Sequence, residues 1–377
     1  MNADDADDVL NLGQQRVGSI GRGALRTFAV LLILAGVALD ARQAPAERTP
    51  LDIARQLAAR YPESPIMSYI PAVAWSSSLR LARLAGDDKW KDKPRRDMQP
   101  FLSGAKPAIA EPYLLTSLAG HLAFSDLGEL DGNRDAAALA KKAADFILAG
   151  PSTALGASTS QQSVKFPRNW TDDMFMATTL LARVGARTED DRYAQAVGRL
   201  LTTYAEKLQR PDGLFIHAVD GPHAWGRGNG FALLGLTEAL TYLPENWSDR
   251  PAVLDIYRKH IRALIPHQSD DGSWRQVVDE PTSYRELTVT AMTVAAMARG
   301  VSRGWLGKDM LPVIERGWKA VAARVNDDGT VKDVCSGTGA GPTKEYYLNR
   351  PVVNGPDDRG GAMALLAAVE MIELQKR

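Results

Sequence analysis

Three Asp-Gly turns recur at a nearly constant spacing in this chain. Their glycines, Gly213, Gly272 and Gly329, are 59 and 57 residues apart. Asp-Gly is a strong turn signal because glycine readily accepts a positive φ. A period of this length indicates stacked supersecondary units, each with room for two helices between successive turns.

The two helices predicted within each unit differ in character. The first, such as 230–242 (GFALLGLTEALTY), is apolar on almost all sides, whereas the second, such as 251–265 (PAVLDIYRKHIRALI), has apolar residues at helical spacing on one side. Equivalent pairs are predicted at 286–301 with 310–325, 173–184 with 193–208, 112–127 with 136–147, and 69–84 with 90–98, while 360–375 supplies a last inner helix and 51–61 completes the circuit.

This asymmetry predicts which helix of each pair lies inside. A helix that is apolar all round is buried between layers, and a one-sided helix lies outside it. Such units can form an open solenoid or close into a toroid. Six inner and six outer helices predict an all-α fold, an (α/α)6 barrel or six-hairpin toroid, built by residues 46–377 as a single catalytic domain. The Asp-Gly loops and the starts of the inner helices should meet at one end, where we expect function.

Residues 1–45 are expected to be an export signal or an N-terminal anchor with a linker. An uninterrupted apolar or small run, FAVLLILAGVAL, occupies 28–39 and follows Arg16, Arg22 and Arg26. A run this short, with basic residues before it, favours a secretory signal over a transmembrane helix. The sequence therefore predicts an exported, periplasmic protein.

Charge and cysteine content argue against several functional classes. Lys+Arg and Asp+Glu both number 45, so the formal net charge is zero and nothing favours nucleic acid or an anionic membrane as a partner. The single cysteine, Cys335, allows no intramolecular disulfide, and no Cys/His cluster has metal-ligand spacing. We expect no metal, no cofactor and no stable membrane partner beyond the possible anchor.

Residues that can carry chemistry concentrate just before two predicted inner helices. One segment, WTDDMFM, contains Trp170 and Asp172; the other contains His217 and then WGRGNG, with Trp225 and Arg227. A carboxyl group that is desolvated between aromatic faces can keep its proton at neutral pH, as a proton donor must. Indole faces and a guanidinium group suit a sugar ring that bears a carboxylate. The pattern therefore indicates a site for a uronic acid.

Four segments in this order resemble a known family: FPRNWTDDMFM, GLFIHAVDGPHAWGRGNGF, YRELTVTAMTVAAMARGV and VCSGTGAGPTKEYYLNRPVVNGPDDRGGAMALLAAVEM. Together they look like glycoside hydrolase family 105, the unsaturated rhamnogalacturonyl hydrolases, whose relatives are the family 88 unsaturated glucuronyl hydrolases. The resemblance covers about residues 67–375 and is strong from Phe166 onward. It implies an (α/α)6 barrel, in agreement with the repeat.

The resemblance also implies an unusual glycosidase chemistry. The substrate is an oligosaccharide with a 4,5-unsaturated uronic acid at its non-reducing end, as left by a polysaccharide lyase. An acid protonates C4, positive charge develops at C5, and water adds there. The resulting hemiketal collapses and the glycosidic bond is lost. One carboxyl group can serve both steps, unlike the usual pair of carboxylates in glycosidases.

Specific residues match the motifs of this family. Asp172 matches its catalytic aspartate. Substrate-binding roles are implied at seven positions, two of them with a different residue from that of many members: Trp170, Met176, His217, Trp225, Arg227, Phe231 in place of tryptophan, and Arg359 in place of histidine. Asp172 could instead be only a helix N-cap, and this interpretation is stronger for its neighbour Asp173.

The chain departs from the family pattern at a second carboxylate. The family carries another aspartate on an earlier hairpin, but the corresponding region here reads SGAKPAIAEPYLLTSLAGH, where Glu111 is the carboxylate near the expected place. The basic pair that often precedes the W-x-D motif is also absent, since Gln161, Gln162 and Ser163 stand there. These departures affect the expected substrate more than the expected fold.

Two alternatives remain open at the level of sequence. The same toroid could carry a sugar epimerase, marked by a histidine pair across the cavity, or a conventional glycosidase, marked by a second acid facing Asp172. It could also be a non-catalytic toroid that binds glycans, in which case Asp172 would be dispensable.

Overall fold

Helices dominate residues 48–149, 169–188 and 190–377, which are the part of the chain that the computed structural model describes. They belong to one unit, Glu47–Arg377. The predicted export signal at 1–45 and the positions 161–163 lie outside the described residues. Within the described part, no helix combines the length and apolarity that a membrane span needs.

The described helices follow one another in short hairpins. In chain order they are α1 Pro50–Arg60, α2 Tyr69–Ala85, α3 Asp92–Leu102, α4 Leu115–Leu118, α5 Leu122–Asp131, α6 Arg134–Ala149, α7 Thr171–Met176, α8 Thr178–Gly185, α9 Asp191–Leu208, α10 Gly226–Tyr242, α11 Arg250–Leu264, α12 Leu287–Ser302, α13 Leu311–Ala322, α14 Lys344–Leu348 and α15 Asp358–Gln375. The short strands are β1 Trp274–Arg275, β2 Arg285–Glu286, β3 Val331–Cys335 and β4 Val352–Gly355.

Six inner helices form a closed ring. Around it, α2 packs against α5, α5 against α8, α8 against α10, α10 against α12, α12 against α15, and α15 returns to α2. Each carries an outer helix, namely α3, α6, α9, α11, α13 and, on α15, the first helix α1. The predicted (α/α)6 barrel is therefore confirmed, including the closure of the circuit by the helix that starts near residue 51, and the open solenoid is excluded.

The burial of the helices follows the asymmetry of their sequences. In α10 every residue from Gly226 to Leu240 is buried. In the outer helix α9 the buried residues recur every three or four positions, as at Tyr193, Val197, Leu201, Tyr204 and Leu208. The inner layer is buried on both sides, whereas each outer helix covers it with one face.

Two predicted inner helices are divided in the structure. The helix expected at 173–184 consists of α7 and α8, which meet at Ala177, where the Thr178 hydroxyl donates to the carbonyl of Met174. Side-chain bonds of this type to the preceding turn bend helices. The helix expected at 112–127 consists of α4 and α5, which are joined by a 3₁₀ turn.

The Asp-Gly turns behave as predicted and open the segments that lead to three inner helices. Gly213, Gly272 and Gly329 have φ values of 97°, 90° and 80°. Antiparallel pairing follows each turn: isolated bridges before α10, the β1–β2 pair before α12, and the β3–β4 pair before α15. These segments stand at the starts of the inner helices, the end where the sequence places the site.

Charged side chains from all six inner helices form a buried chain, here called the charge ring. Its members alternate in sign around the barrel: Arg80, Asp126, Arg183, Glu238, Arg299 and Glu370, on α2, α5, α8, α10, α12 and α15 respectively. Each is at most 9% exposed.

Direct contacts connect the members of the charge ring. Arg80 Nη1 lies 2.5 Å from Glu370 Oε1, and Arg299 binds both Glu370 and Glu238. Arg183 binds Glu238 and, at 3.1 Å, Asp126. Asp126 closes the circuit by accepting a 2.5 Å hydrogen bond from Ser76 on α2, the helix that carries Arg80.

The charge ring keeps Glu238 and Glu370 ionised. Burial alone would raise the pKa of Glu238, but the guanidinium groups of Arg183 and Arg299 outweigh it and lower the pKa to about 2. The pKa of Glu370 falls to about 2 for the same reason, with Arg299 and Arg80 opposing burial. Groups with a lowered pKa contribute stability above their unfolded pKa, and that contribution is lost as the pH falls through the folded value.

We expect Glu238→Gln to reduce the free energy of unfolding by about 3–5 kcal/mol at neutral pH, because it leaves two buried guanidinium groups without their shared carboxylate. The substitution should also flatten the loss of stability as the pH falls from about 4.5 toward 2. Urea unfolding of both proteins across this pH range measures both effects. Glu245→Gln is a control, since Glu245 pairs with Arg250 while its own side chain is 87% exposed, and a loss as large as that of Glu238→Gln would contradict the assignment.

Candidate active site

Backbone pairing brings Asp172 and His217 together. Trp170 forms an antiparallel bridge with Ala218, and the amide of Thr171 donates to the carbonyl of His217 at 3.0 Å. This contact fixes the start of α7 against the hairpin that precedes α10. As a result, Oδ2 of Asp172, in the first turn of α7, lies 3.1 Å from Nε2 of His217.

Aromatic rings surround the imidazole of His217. The ring centroids of Trp170 and Trp225 lie 5.2 and 4.5 Å from it, and that of Tyr347 lies 5.7 Å away, edge to face. His217 itself is completely buried. The carboxylate predicted to be catalytic therefore meets a histidine whose orientation is fixed by packing on three sides.

Tyr347, on α14, was not singled out from the sequence. Its hydroxyl oxygen lies 3.0 Å from Nδ1 of His217 and accepts a 3.2 Å hydrogen bond from the amide of Gly341. Burial raises the pKa of Tyr347 to about 12. The available signal was weak: a Tyr-Tyr pair in the segment KEYYLNR, between the Gly-rich loop and the last inner helix.

Arg227 is held inside the protein. Its Nε donates to Thr288 at 3.0 Å and its Nη2 donates to the carbonyl of Cys335, while the carboxylate of Glu286 lies 3.8 Å away. Arg227 is 3% exposed and Glu286 is fully buried. The guanidinium group that is expected to bind a uronate therefore already donates hydrogen bonds within the protein from two of its nitrogens.

The other predicted binding residues divide into buried and accessible ones. Trp225, Phe231 and Met176 are at most 2% exposed, and Phe231 stacks on Phe175 at 5.9 Å. The ring of Phe231 lies among core aromatic side chains, so the substrate-binding role that the resemblance implies for it stays a prediction. The ring of Trp225 packs directly against His217, and that of Phe231 packs against Trp225.

Trp170 and Arg359 are partly exposed, whereas Asp172 is largely buried, with 11% of its side chain exposed. The side chain of Arg359 is 29% exposed; it pairs with Asp357 at 2.7 Å and donates to the carbonyl of Ser336. A Cβ built on Gly339 would lie 3.8 Å from the ring of Trp170. The loop 336–341 thus contacts Arg359 through the carbonyl of Ser336 and passes close to Trp170 at Gly339. It ends at Gly341, whose amide donates to Tyr347.

The two remaining acidic candidates lie elsewhere. Glu111 is exposed in the loop before α4. Desolvation and, to a smaller extent, the carboxylate of Glu111 raise the pKa of the nearby Tyr113. The contacts resolved for Glu111 do not connect it to Asp172. Asp173 is fully buried and accepts a 2.7 Å hydrogen bond from Tyr204 on α9, which is a structural role.

The described part of the chain contains no cluster of potential metal ligands. Across residues 48–149, 169–188 and 190–377, His, Cys, Asp and Glu side chains do not gather in any group of three or more that could hold a metal ion. His260 and His121 are buried in the core, where desolvation lowers their pKa values to about 3 and about 4.

Solved structures share this fold across almost the whole chain. A possible member of the GH105 family from Klebsiella pneumoniae matches with a TM-score of 0.74 at 18% identity, covering 93% of this chain and 100% of the other. The unsaturated glucuronyl hydrolase of Bacillus sp. GL1 matches with a TM-score of 0.62 at 13% identity, covering 85% and 94%. By fold, the protein is a six-hairpin toroid of the type seen in these proteins.

The sequence profile of Glycosyl Hydrolase Family 88 matches residues 46–375, so the chain belongs to this family. An unsaturated 3S-rhamnoglycuronyl hydrolase of Alteromonas sp. is 30% identical over 54% of this chain and 51% of its own length. An unsaturated rhamnogalacturonyl hydrolase of Bacillus subtilis is 26% identical over 56% and 62%. The matches therefore span about half to three-fifths of these relatives.

We expect Arg227→Met to lower the free energy of unfolding by about 3–5 kcal/mol, because it leaves the Glu286 carboxylate buried without its counterion. Arg359→Ala, at the partly exposed rim, should lower it by about 1 kcal/mol or less. Chemical denaturation of both variants gives the comparison. Combining Arg227→Met with Glu286→Gln should recover part of the loss, and equal stability of wild type and Arg227→Met would show that the pair is not structural.

Proposed function

We propose that the protein is a glycoside hydrolase that removes a 4,5-unsaturated uronic acid from the non-reducing end of lyase-generated oligosaccharides. The observation that carries this proposal is the contact between Asp172 and His217 beside Trp170, at the loop-bearing end of a toroid of this family. It joins a carboxyl group, a fixed hydrogen-bonding partner and an aromatic face on the accessible side of the site.

Asp172 would act twice. As the acid it protonates C4 of the enol ether, which places positive charge at C5. As the resulting carboxylate it takes a proton from water while the water oxygen adds to C5. The product is a hemiketal, which opens and releases the glycosidic oxygen as an alcohol. Each proton is accounted for, and the acid is regenerated for the next turnover.

The neighbouring residues have supporting roles in this scheme. His217 can hydrogen-bond the carboxylate that Asp172 becomes, which stabilises the negative charge of a largely buried group. Trp170 offers a ring face to the sugar, and Arg359 offers a guanidinium group to the uronate carboxylate. Arg227 would bind the substrate through the part of its guanidinium group that Thr288 and Cys335 do not engage.

Rhamnose is the proposed sugar next to the unsaturated residue. Two of the relatives carry rhamnogalacturonyl and rhamnoglycuronyl in their names. A panel of lyase-generated disaccharides, with rhamnose or another sugar following the unsaturated uronate, tests this choice. Turnover is followed by the loss of ultraviolet absorbance of the conjugated uronate, and a preference for substrates without rhamnose would overturn the assignment.

Export is also part of the proposal. The apolar run at 28–39 and the arginines before it favour passage through the inner membrane. N-terminal sequencing of the protein from its own host should find a start between about residues 41 and 46. Recovery of a cytosolic protein that begins at Met1 would contradict export.

Asp172→Asn should fold normally, bind substrate and lose turnover by about 10⁴-fold, because it removes the proton that both steps require. Asp173→Asn is the matched control at the adjacent position and should lose far less, since an amide can still accept the hydrogen bond of Tyr204. In deuterium oxide, the wild-type enzyme should place one deuterium at C4 of the product.

Two outcomes would separate the alternatives. A product without deuterium at C4 would rule out hydration and favour a conventional glycosidase or an epimerase. An Asp172→Asn variant that retains its biological role would favour a toroid that only binds glycans.

A further inference from the structure

A buried chain of hydrogen bonds extends the site beyond the carboxylate. It runs from Oδ2 of Asp172 to Nε2 of His217 at 3.1 Å, and from Nδ1 of His217 to the hydroxyl of Tyr347 at 3.0 Å. The amide of Gly341 meets the same hydroxyl at 3.2 Å. Both ring nitrogens of His217 are thus engaged by side chains of different elements.

The direction of these hydrogen bonds follows from the amide. A backbone N–H can only donate, so the Tyr347 oxygen accepts from Gly341. The one proton of the tyrosine hydroxyl needs an acceptor of its own. Nδ1 of His217, at 3.0 Å, is the hydrogen-bond partner that the structure gives for that proton. Burial raises the pKa of Tyr347 to about 12, so the hydroxyl keeps its proton at neutral pH.

Packing holds Tyr347 in this place. Its side chain is fully buried, and its ring lies 5.7 Å from that of His217 and 5.5 Å from that of His223. A Cβ on Gly221 would collide with the Tyr347 hydroxyl, so the hairpin after His217 admits the tyrosine only because this residue is glycine. His223 in turn lies 3.1 Å from the carbonyl of Pro342 and so fixes the loop that carries Gly341.

We propose that Tyr347 is a positioning residue that holds His217 in the neutral tautomer with its proton on Nε2. This inference rests on the proposed function of Asp172. In that tautomer Nε2–H donates to Oδ2 of Asp172, so the proton that Asp172 transfers to C4 is restricted to its other oxygen, Oδ1. Once C4 is protonated, the same N–H stabilises the new carboxylate.

The opposite tautomer would work against catalysis. With its proton on Nδ1, His217 would present a lone pair at Nε2 to Asp172. The acid proton of Asp172 would then be drawn to Oδ2 and toward the imidazole, away from the substrate. Wrong tautomers of catalytic histidines are known to be costly where a hydrogen-bonding partner sets them.

Nitrogen NMR of the wild-type enzyme, labelled with ¹⁵N at histidine, tests the tautomer directly. The chain contains five histidines, and the signals of His217 are identified by their absence from His217→Gln. We expect the neutral form with a protonated Nε2 and an unprotonated Nδ1. A protonated Nδ1, alone or in an imidazolium, would overturn the proposal, and this measurement does not depend on any variant of Tyr347.

Tyr347→Phe tests the consequence. We expect kcat to fall by roughly tenfold or more, corresponding to the loss of one buried hydrogen bond, with KM nearly unchanged because Tyr347 is not exposed to substrate. In the same variant, the NMR signals of His217 should show the second tautomer. Tyr346→Phe is the matched control: Tyr346 is adjacent and 36% exposed, and its loss should leave both kcat and the tautomer unchanged.

The outcomes also separate this proposal from the proposed function. An unchanged kcat in Tyr347→Phe, or a tautomer that survives the substitution, overturns the role of Tyr347 even if Asp172→Asn is inactive. A fully active Asp172→Asn overturns the hydration mechanism, whereas the tautomer measured in the substrate-free enzyme still reports whether Tyr347 controls His217.

Discussion

One circuit of buried charges, closed by the hydroxyl of Ser76, joins the six inner helices. Charges removed from water are stable only when their partners are in place, and breaking one buried pair destabilises a protein far more than an exposed pair would. In the charge ring each guanidinium group binds a carboxylate on a neighbouring helix, as Arg299 does with Glu238 and Glu370. The ring therefore requires all six helices at the correct rotation and height. Glu238 lies twelve residues after Gly226, or ~18 Å along α10 from its start.

The site depends on that arrangement because its parts come from different hairpins. Asp172 lies in the first turn of α7, His217 lies on the hairpin before α10, and Tyr347 lies on α14, in the segment before α15. Backbone contacts join them, such as the bond from the Thr171 amide to the His217 carbonyl. Because the inner layer is rigid, these loops can hold the site's donor and acceptor atoms about 3 Å apart although they contain little regular secondary structure. Preorganised catalysis requires such fixed positions.

The sequence was most informative where the chemistry is local. Helical periodicity and Asp-Gly turns predicted the hairpins, and the WTDDMFM and WGRGNG segments, with the histidine that precedes the second, predicted roles for Asp172, Arg227 and His217. It was least informative where long-range contacts decide. Burial of Phe231 and the pairing of Arg227 with Glu286 arise between elements far apart in the chain. A motif match indicates that a residue belongs to the site, but not whether its side chain is exposed in the cavity or buried in the core.

By itself, the sequence determined the class of fold, since a repeated pair of one apolar and one amphipathic helix has few ways to bury its surface other than a double layer. The tertiary structure alone decided the alternation of charges on successive inner helices, because their partners lie some fifty or more residues apart. It also decided the place of Tyr347, which lies 130 residues from His217 in the chain. The physical reason is common to both: hydrogen bonds and ion pairs depend on distances of about 3 Å in space, which spacing along the chain does not record.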